Sequence, residues 1–262
     1  LKADRQREVD EFGRQIINFV KEQCVTYQRA LQVHFEDSYA QWDTYHKLCD
    51  LSGKYLKTRT YRGYRWYYPV DLKWKDVKDE ADKKIGLIRL YADYSRRFTR
   101  MGVEYMDYSE FLVEQAMLQA GYTVVAKDTY YFNGIVYRVN KGQGRPRDLD
   151  YIAKIPGRDV YVGVQIKNRL EYPSSSEISQ LIDICNILHL TPVLVARTSH
   201  EMRNLPVINR GGRVVIFKRY FLKPGFPRDK FNDVINMGIP IGVYKWPPEF
   251  LIQRFVDIAK NI

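Results

Sequence analysis

The sequence predicts an α/β protein in two parts: a helical, aromatic-rich first part and a second part built on a sheet flanked by helices. Three observations carry that expectation. Between residues 7 and 50, Val9, Phe12, Ile16, Val20, Cys24, Tyr27, Leu31 and Phe35 recur at three- and four-residue steps, the period of one helix face. Beyond residue 120 the apolar runs become short and β-branched, as in Val160 to Lys167, Pro192 to Arg197 and Arg213 to Phe217. A stretch with helical spacing (Ile178, Leu181, Ile182, Cys185, Leu188) separates the first two of these runs, so strands and helices alternate.

Composition narrows the class. A chain of 262 residues can bury one large core or two modest domains. With 45% hydrophobic and 28% charged residues it is globular rather than disordered. A formal net charge of +11 points to a polyanionic partner, with nucleic acid favoured over acidic lipid; a generally basic protein is the plain alternative. Cys24, Cys49 and Cys185 are far apart and form no CxxC pair, so neither a zinc knuckle nor a disulfide framework is expected. Reduced cysteines fit a cytoplasmic or nucleoid-associated location. His34 and His46 are not at ligand spacing. No apolar run approaches the ~18 residues needed to cross a bilayer, and the first residues hold no signal-peptide apolar region.

The first stripe continues through Tyr39, Trp42 and Tyr45, which predicts a long helix or a helix pair packed on neighbours; a homodimer is compatible with such a surface. Gly53 closes it. Residues 54–69 then interleave cations and aromatics without an acid. Arg59, Arg62 and Arg65 can neutralise phosphates, and Tyr64 and Trp66 can stack on bases. The alternative is a loop or hairpin whose rings pack on the helices while its cations stay solvated. Residues 75–100 return to helical spacing, with Arg96, Arg97 and Arg100 in the last turn, where they suit the dipole. A boundary near Met101-Gly102-Val103 gives domains 1–105 and 106–262.

In the second domain, Ser109 is the expected N-cap of a helix that Gly121 closes, with Phe111, Leu112, Gln115, Met117 and Leu118 on one face. Residues 122–126 and 130–139 read as strands, and Lys141 to Arg147 as a basic loop in which Arg145 and Arg147 can track a phosphate backbone. Arg147 to Ala153 and Val160 to Lys167 read as two strands joined by a Pro156-Gly157 turn. Strand alternation puts Gln165 and Lys167 on one face, and a hairpin sets Asp150 near them. Carboxylate, amide oxygen and ammonium around one point can hold a hard cation and a water molecule. A helix with Ser caps near 173–177 follows, then two buried strands, a Pro-rich tail and a last helix over 249–262.

Asp150 with Gln165-Ile166-Lys167 resembles the PD-(D/E)XK nuclease superfamily, in its Gln form similar to Mrr-type restriction endonucleases. Tyr108 to Tyr122, with Glu110 set ahead of Gly121, is similar to the first helix of archaeal Holliday junction resolvases. The resemblance covers residues 107–217 and rests on the order and spacing of short motifs. It implies a restriction-endonuclease-like core, a mixed central sheet flanked by helices. It implies Mg²⁺, with Mn²⁺ as a substitute, held by Glu110, Asp150, Gln165 and the carbonyl of Ile166, and Lys167 holding or deprotonating the attacking water. Gln165 in place of a carboxylate weakens metal binding and favours a single ion. Gln180 would lie near the site, Glu114 would be a solvated helix charge, and Asp148 is an alternative ligand to Asp150. The implied activity is a metal-dependent DNA endonuclease of restriction or mobile-element type. The alternatives are a branched-DNA resolvase and an inactive nuclease fold that binds nucleic acid.

Overall fold

The structure is a computed structural model in which residues 9–100, 102–138 and 148–262 are described. It is a mixed α/β protein that divides into two compact units. One unit holds the residues up to Tyr91 together with Pro227–Pro240; the other holds Ala92–Phe226 and Ile241–Ile262. The division therefore falls ahead of the boundary expected at residues 101–103 and gives a late segment back to the first unit.

The first unit begins with α1 (Glu11–Glu22), β1 (Thr26–Tyr27), α2 (Gln28–His34) and α3 (Gln41–Leu51). It continues with β2 (Leu56–Tyr61), β3 (Tyr64–Pro69) and α4 (Trp74–Ser95), whose last turn counts with the second unit. The apolar stripe of residues 9–45 is thus broken into separate helices. The break comes at Cys24, whose φ is 57°, where Thr26 and Tyr27 leave the helix to pair with Tyr67 and Trp66 of β3. Lys84, 5% exposed, holds that break in place. Its Nζ donates to the Gln23 carbonyl and side chain (both 2.9 Å) and to the Val25 carbonyl (2.7 Å). Burial lowers its pKa to about 8.

Residues 56–69 form a hairpin turning at Arg62 (φ 49°) and Gly63 (φ 83°), within a sheet of order β1-β3-β2. Phe12, Ile16, Val20, Leu31, Leu48, Leu51, Leu56 and Tyr67 pack together on it. The first part is therefore not all-helical: its aromatic stretch is a sheet.

The second unit starts with β4 (Arg96–Arg100), β5 (Val103–Asp107), α5 (Tyr108–Gln119), β6 (Thr123–Thr129), β7 (Tyr131–Phe132), β8 (Ile135–Val136), β9 (Leu149–Lys154) and β10 (Tyr161–Lys167). After these come α6 (Ser175–Ile187), β11 (Thr191–Ala196), α7 (Glu201–Asn209), β12 (Arg213–Ile216), β13 (Tyr220–Leu222), α8 (Arg228–Asn236), β14 (Ile241–Val243) and α9 (Glu249–Asn261); of these, α8 belongs to the first unit. Arg96, Arg97 and Arg100 do not load a helix terminus as expected. They lie on β4, which pairs with β5 around Gly102 (φ 78°), and the Arg100 guanidinium stacks 4.2 Å from the Trp246 ring. The strand expected over 130–139 is instead the short β7–β8 hairpin, because Asn133 (φ 46°) and Gly134 (φ 81°) make the tight turn that suits two paired strands.

The main sheet has the order β12-β11-β10-β9-β6. β6, β9 and β10 run antiparallel in turn, and β10, β11 and β12 run parallel. Val162, Val164 and Ile166 of β10 pack with α5 and α9 residues such as Phe111, Leu112 and Phe255. The opposite face packs on Ile178, Leu181, Ile182 and Cys185 of α6. Gly163 faces this second layer, where an added Cβ would sit 2.6 Å from Cys185 Sγ. That close approach of α6 explains why a glycine interrupts an otherwise β-branched strand.

Candidate active site

β9 and β10 stay paired from Lys154/Tyr161 to Tyr151/Val164, and Asp150 lies one residue past the last pair. There the aspartate replaces backbone pairing with its side chain. Asp150 Oδ2 accepts from Gln165 Nε2 at 2.7 Å and from the backbone N–H of Ile166. Alternation from Gly163 sets Gln165 and Lys167 on the α6 side of the sheet. Gln165 is 8% exposed, so this amide is a buried part of the site.

Glu110 comes from the first turn of α5. Its Oε2 accepts from the backbone N–H of Met106 at 3.0 Å, and its own carbonyl accepts from Tyr151 Oη at 3.1 Å. Burial and then the charges of Asp150 and Asp107 push its pKa up to about 7. Burial also raises Asp150 to about 6, while the Lys167 ammonium and the bonds from Ile166 and Gln165 pull it back. The charge of Asp150 thus acts on Glu110, and that of Lys167 on Asp150. Two carboxylates that resist ionising together favour a proton or a cation between them.

Ser109 is not the N-cap of α5. Asp107 is: its Oδ1 accepts from Ser109 N–H at 2.8 Å and from Ser109 Oγ at 2.7 Å. Glu114 is not a solvated helix charge either. It is 7% exposed, pairs with Lys127 Nζ at 2.6 Å and accepts from Tyr105 Oη at 2.7 Å. The reason is that α5 is buried nearly all round, with Phe111, Leu112, Val113, Ala116 and Met117 all inside. A charge on such a helix must be paired.

Asp148 precedes β9. Its Oδ1 is buried and has no hydrogen-bond partner among the described residues, and burial followed by the charge of Asp128 raises its pKa. Gln180 is half-buried on α6, and its Oε1 likewise accepts from no donor among the described residues. Sequence reasoning missed Asp128. It sits on β6 between the pairs Lys127/Tyr151 and Thr129/Leu149, directly across from Asp150, with φ at 44°. A register shift between Val124 and Ala126 brings it there, which no local pattern announces.

Trp66 cannot stack on a base: it is fully buried between Tyr27 and Tyr64, with Nε1 donating to the Tyr61 carbonyl at 3.2 Å. Tyr64 is half-buried against the same rings. Arg59, Arg62 and Arg65 are exposed. Arg59 lies over the Trp74 ring, Arg62 pairs with Asp82 at 3.3 Å and Arg65 lies over Tyr67. Arg145 and Arg147 fall outside the described residues.

Among the described residues, no three His, Cys, Asp or Glu side chains gather closely enough to hold an ion between them. The groups near Asp150 are instead the carboxylate of Glu110 and the amide of Gln165, which with Asp150 make oxygen donors of the kind a hard cation takes. Compared with protein-family profiles, with curated proteins and with solved structures, the chain gives no match in any of the three. Among the described residues, no helix is long and apolar enough to cross a membrane.

Proposed function

We propose that this chain is a metal-dependent DNA endonuclease with a restriction-endonuclease-like core of the PD-(D/E)XK kind. The observation that carries the reading is the side-chain bond of Gln165 to Asp150 beside Lys167, with Glu110 close enough for the Asp150 charge to raise its pKa. Groups far apart in sequence meet here, Asp150 raising the pKa of Glu110 and Lys167 acting on Asp150, at the end of a mixed sheet that packs on helices on both faces. A net charge of +11 supports a polyanionic substrate.

Mg²⁺, or Mn²⁺ in its place, would be held by Glu110, Asp150, Gln165 and the Ile166 carbonyl, and would supply charge shielding and an acidified water. Asp150 is held in place for this by Gln165 and the Ile166 N–H. The Lys167 ammonium orients the attacking water and offsets charge growing on the phosphate oxygens. The neutral amide of Gln165 keeps the site one charge less negative than a carboxylate would, which eases approach of a phosphate and loosens its hold on a cation. Such an enzyme works in the cytoplasm or on the nucleoid, as a monomer or a homodimer.

The test is cleavage of linear, modified, forked and four-way DNA with Mg²⁺. Asp150→Ala and Lys167→Ala should each lower the rate by on the order of 10²-fold or more, the scale of positioned proton-transfer and charge-stabilising groups, while melting temperature and DNA binding stay near the parent's. Full activity in either variant removes the assignment. Preference within the panel separates a restriction-like enzyme from a branched-DNA resolvase, and no cleavage anywhere leaves a binding protein.

A further inference from the structure

We infer that Asn168 is a positioning residue of this site, one that ties the strand end bearing Lys167 to the helix bearing Glu110; the inference rests on the function proposed above. Asn168 directly follows Gln165-Ile166-Lys167 and is 7% exposed. Its Nδ2 donates to Asp107 Oδ1 at 3.0 Å and to the Phe221 carbonyl at 3.1 Å, and its Oδ1 accepts from the Phe221 N–H at 2.9 Å. Both ends of the carboxamide are therefore engaged, in a buried place where a lost partner is costly.

The Asp107 oxygen that Asn168 reaches is the one that caps α5 through Ser109. Glu110 lies in that same first turn. The path from Lys167 to the Glu110 turn is thus one peptide bond, one carboxamide and one cap. The far side of the segment is fixed separately. The Lys167 carbonyl accepts from the Arg197 N–H at 3.0 Å. The fully buried Arg197 guanidinium donates to the carbonyls of Arg169 (3.0 Å), Leu170 (2.9 Å) and Lys218 (3.3 Å). Of these groups, Asn168 is the one that reaches α5. It decides how the strand-end groups stand relative to Glu110, and groups that orient ligands in this way typically contribute 10–100-fold, roughly, to metal affinity or activity.

An aspartate has the same shape and could still accept from Phe221, but it has no N–H to give Asp107. Asn168→Asp is therefore the isosteric variant, which also sets a second carboxylate against Asp107, and Asn168→Ala is the deletion. Tyr122→Phe serves as comparator, since it removes another buried bond of the same unit, from Tyr122 Oη to the Phe255 carbonyl (3.0 Å), away from the site. The experiment is calorimetric titration with Mn²⁺ alone, with DNA cleavage and amide hydrogen exchange alongside, well below the melting temperature. Both Asn168 variants should bind Mn²⁺ about 10–100-fold more weakly. In both, kcat should fall with little change in KM for DNA, and exchange should rise at Ser109, Glu110 and Ile166 to Asn168. Tyr122→Phe should lower the melting temperature without moving Mn²⁺ affinity. Asn168 variants that keep the parent's Mn²⁺ affinity and kcat, whatever their stability, overturn the inference alone. A parent that neither binds Mn²⁺ nor cleaves DNA overturns this inference and the nuclease reading together.

Discussion

On the nuclease reading proposed above, Gln165 would act in opposite directions with and without a bound metal. Its Nε2 bond to Asp150 stabilises the aspartate without adding charge. Gln165→Glu removes that donor and sets a carboxylate against Asp150, so the metal-free variant should melt below the parent. It also adds an oxygen ligand of full charge, so divalent-cation affinity should rise. Titration calorimetry checks the second effect, and an unchanged or weaker affinity places Gln165 outside the ligand set. The meeting of Gln165 with Asp150 is legible in the sequence because it is local: a strand alternates with period two, and Pro156-Gly157 folds the two strands together. Asp107, Asp128 and Asn168 are not legible. Asp128 depends on a bulge in β6, and Asn168 on a partner 61 positions away, an aspartate that caps α5 where Ser109 fits the local pattern equally well.

The β2–β3 hairpin shows the same divide among whole elements. Its composition announces aromatics and cations together, and either packing or nucleic-acid contact would explain that. Burial separates them: Trp66, Tyr67 and Tyr68 are buried, and Arg59, Arg62 and Arg65 are exposed. Replacing the three arginines together should flatten the salt dependence of DNA binding, by roughly 0.7–0.9 in log–log slope for every phosphate that is no longer neutralised. Arg62 already pairs with Asp82, so Arg59 and Arg65 should account for most of the change. Affinity measured across a salt series decides it, and a slope equal to the parent's leaves the hairpin a packing element. Stability should change little, because an exposed pair such as Arg62–Asp82 contributes at most ~1 kcal/mol. The elements that local pattern misplaces are those whose limits depend on distant partners. Arg96 to Arg100 has helical spacing, yet pairs with β5, and β13 and β14, short strands at Tyr220–Leu222 and Ile241–Val243, pair only with each other.

For the molecule as a whole, the crowded carboxylates make stability depend on pH. Glu110 is raised from an ordinary 4.5 to about 7, and Asp150 from 3.8 to about 6. Below both ordinary values each is protonated folded or unfolded, and the fold bears no penalty. As pH rises from about 4 to 7 the unfolded chain releases these protons first, so stability contributed here is lost across that window. In EDTA, the parent's melting temperature should fall from pH 5 to pH 8 by more than that of Glu110→Gln. Equal falls in the two proteins would show that Glu110 ionises normally. A saturating divalent cation should restore more stability at pH 8 than at pH 5, since protons compete for the same oxygens.

The return of Pro227–Pro240 to the first unit sets an order of events during biosynthesis. Gly238, with φ at 92°, brings this segment within reach of Phe19, Ala30 and His34, and Val234, Met237 and Ile239 are buried there. A ribosome moving from the N-terminus delivers α1 to α4 early but supplies α8 only after nearly the whole second unit has been made. At about 5–20 residues per second, the first unit waits on the order of ten seconds for the helix that completes it. A nascent chain stopped before residue 227 carries a first unit with an open flank. Until Val234, Met237 and Ile239 arrive, that flank is apolar surface a chaperone can hold.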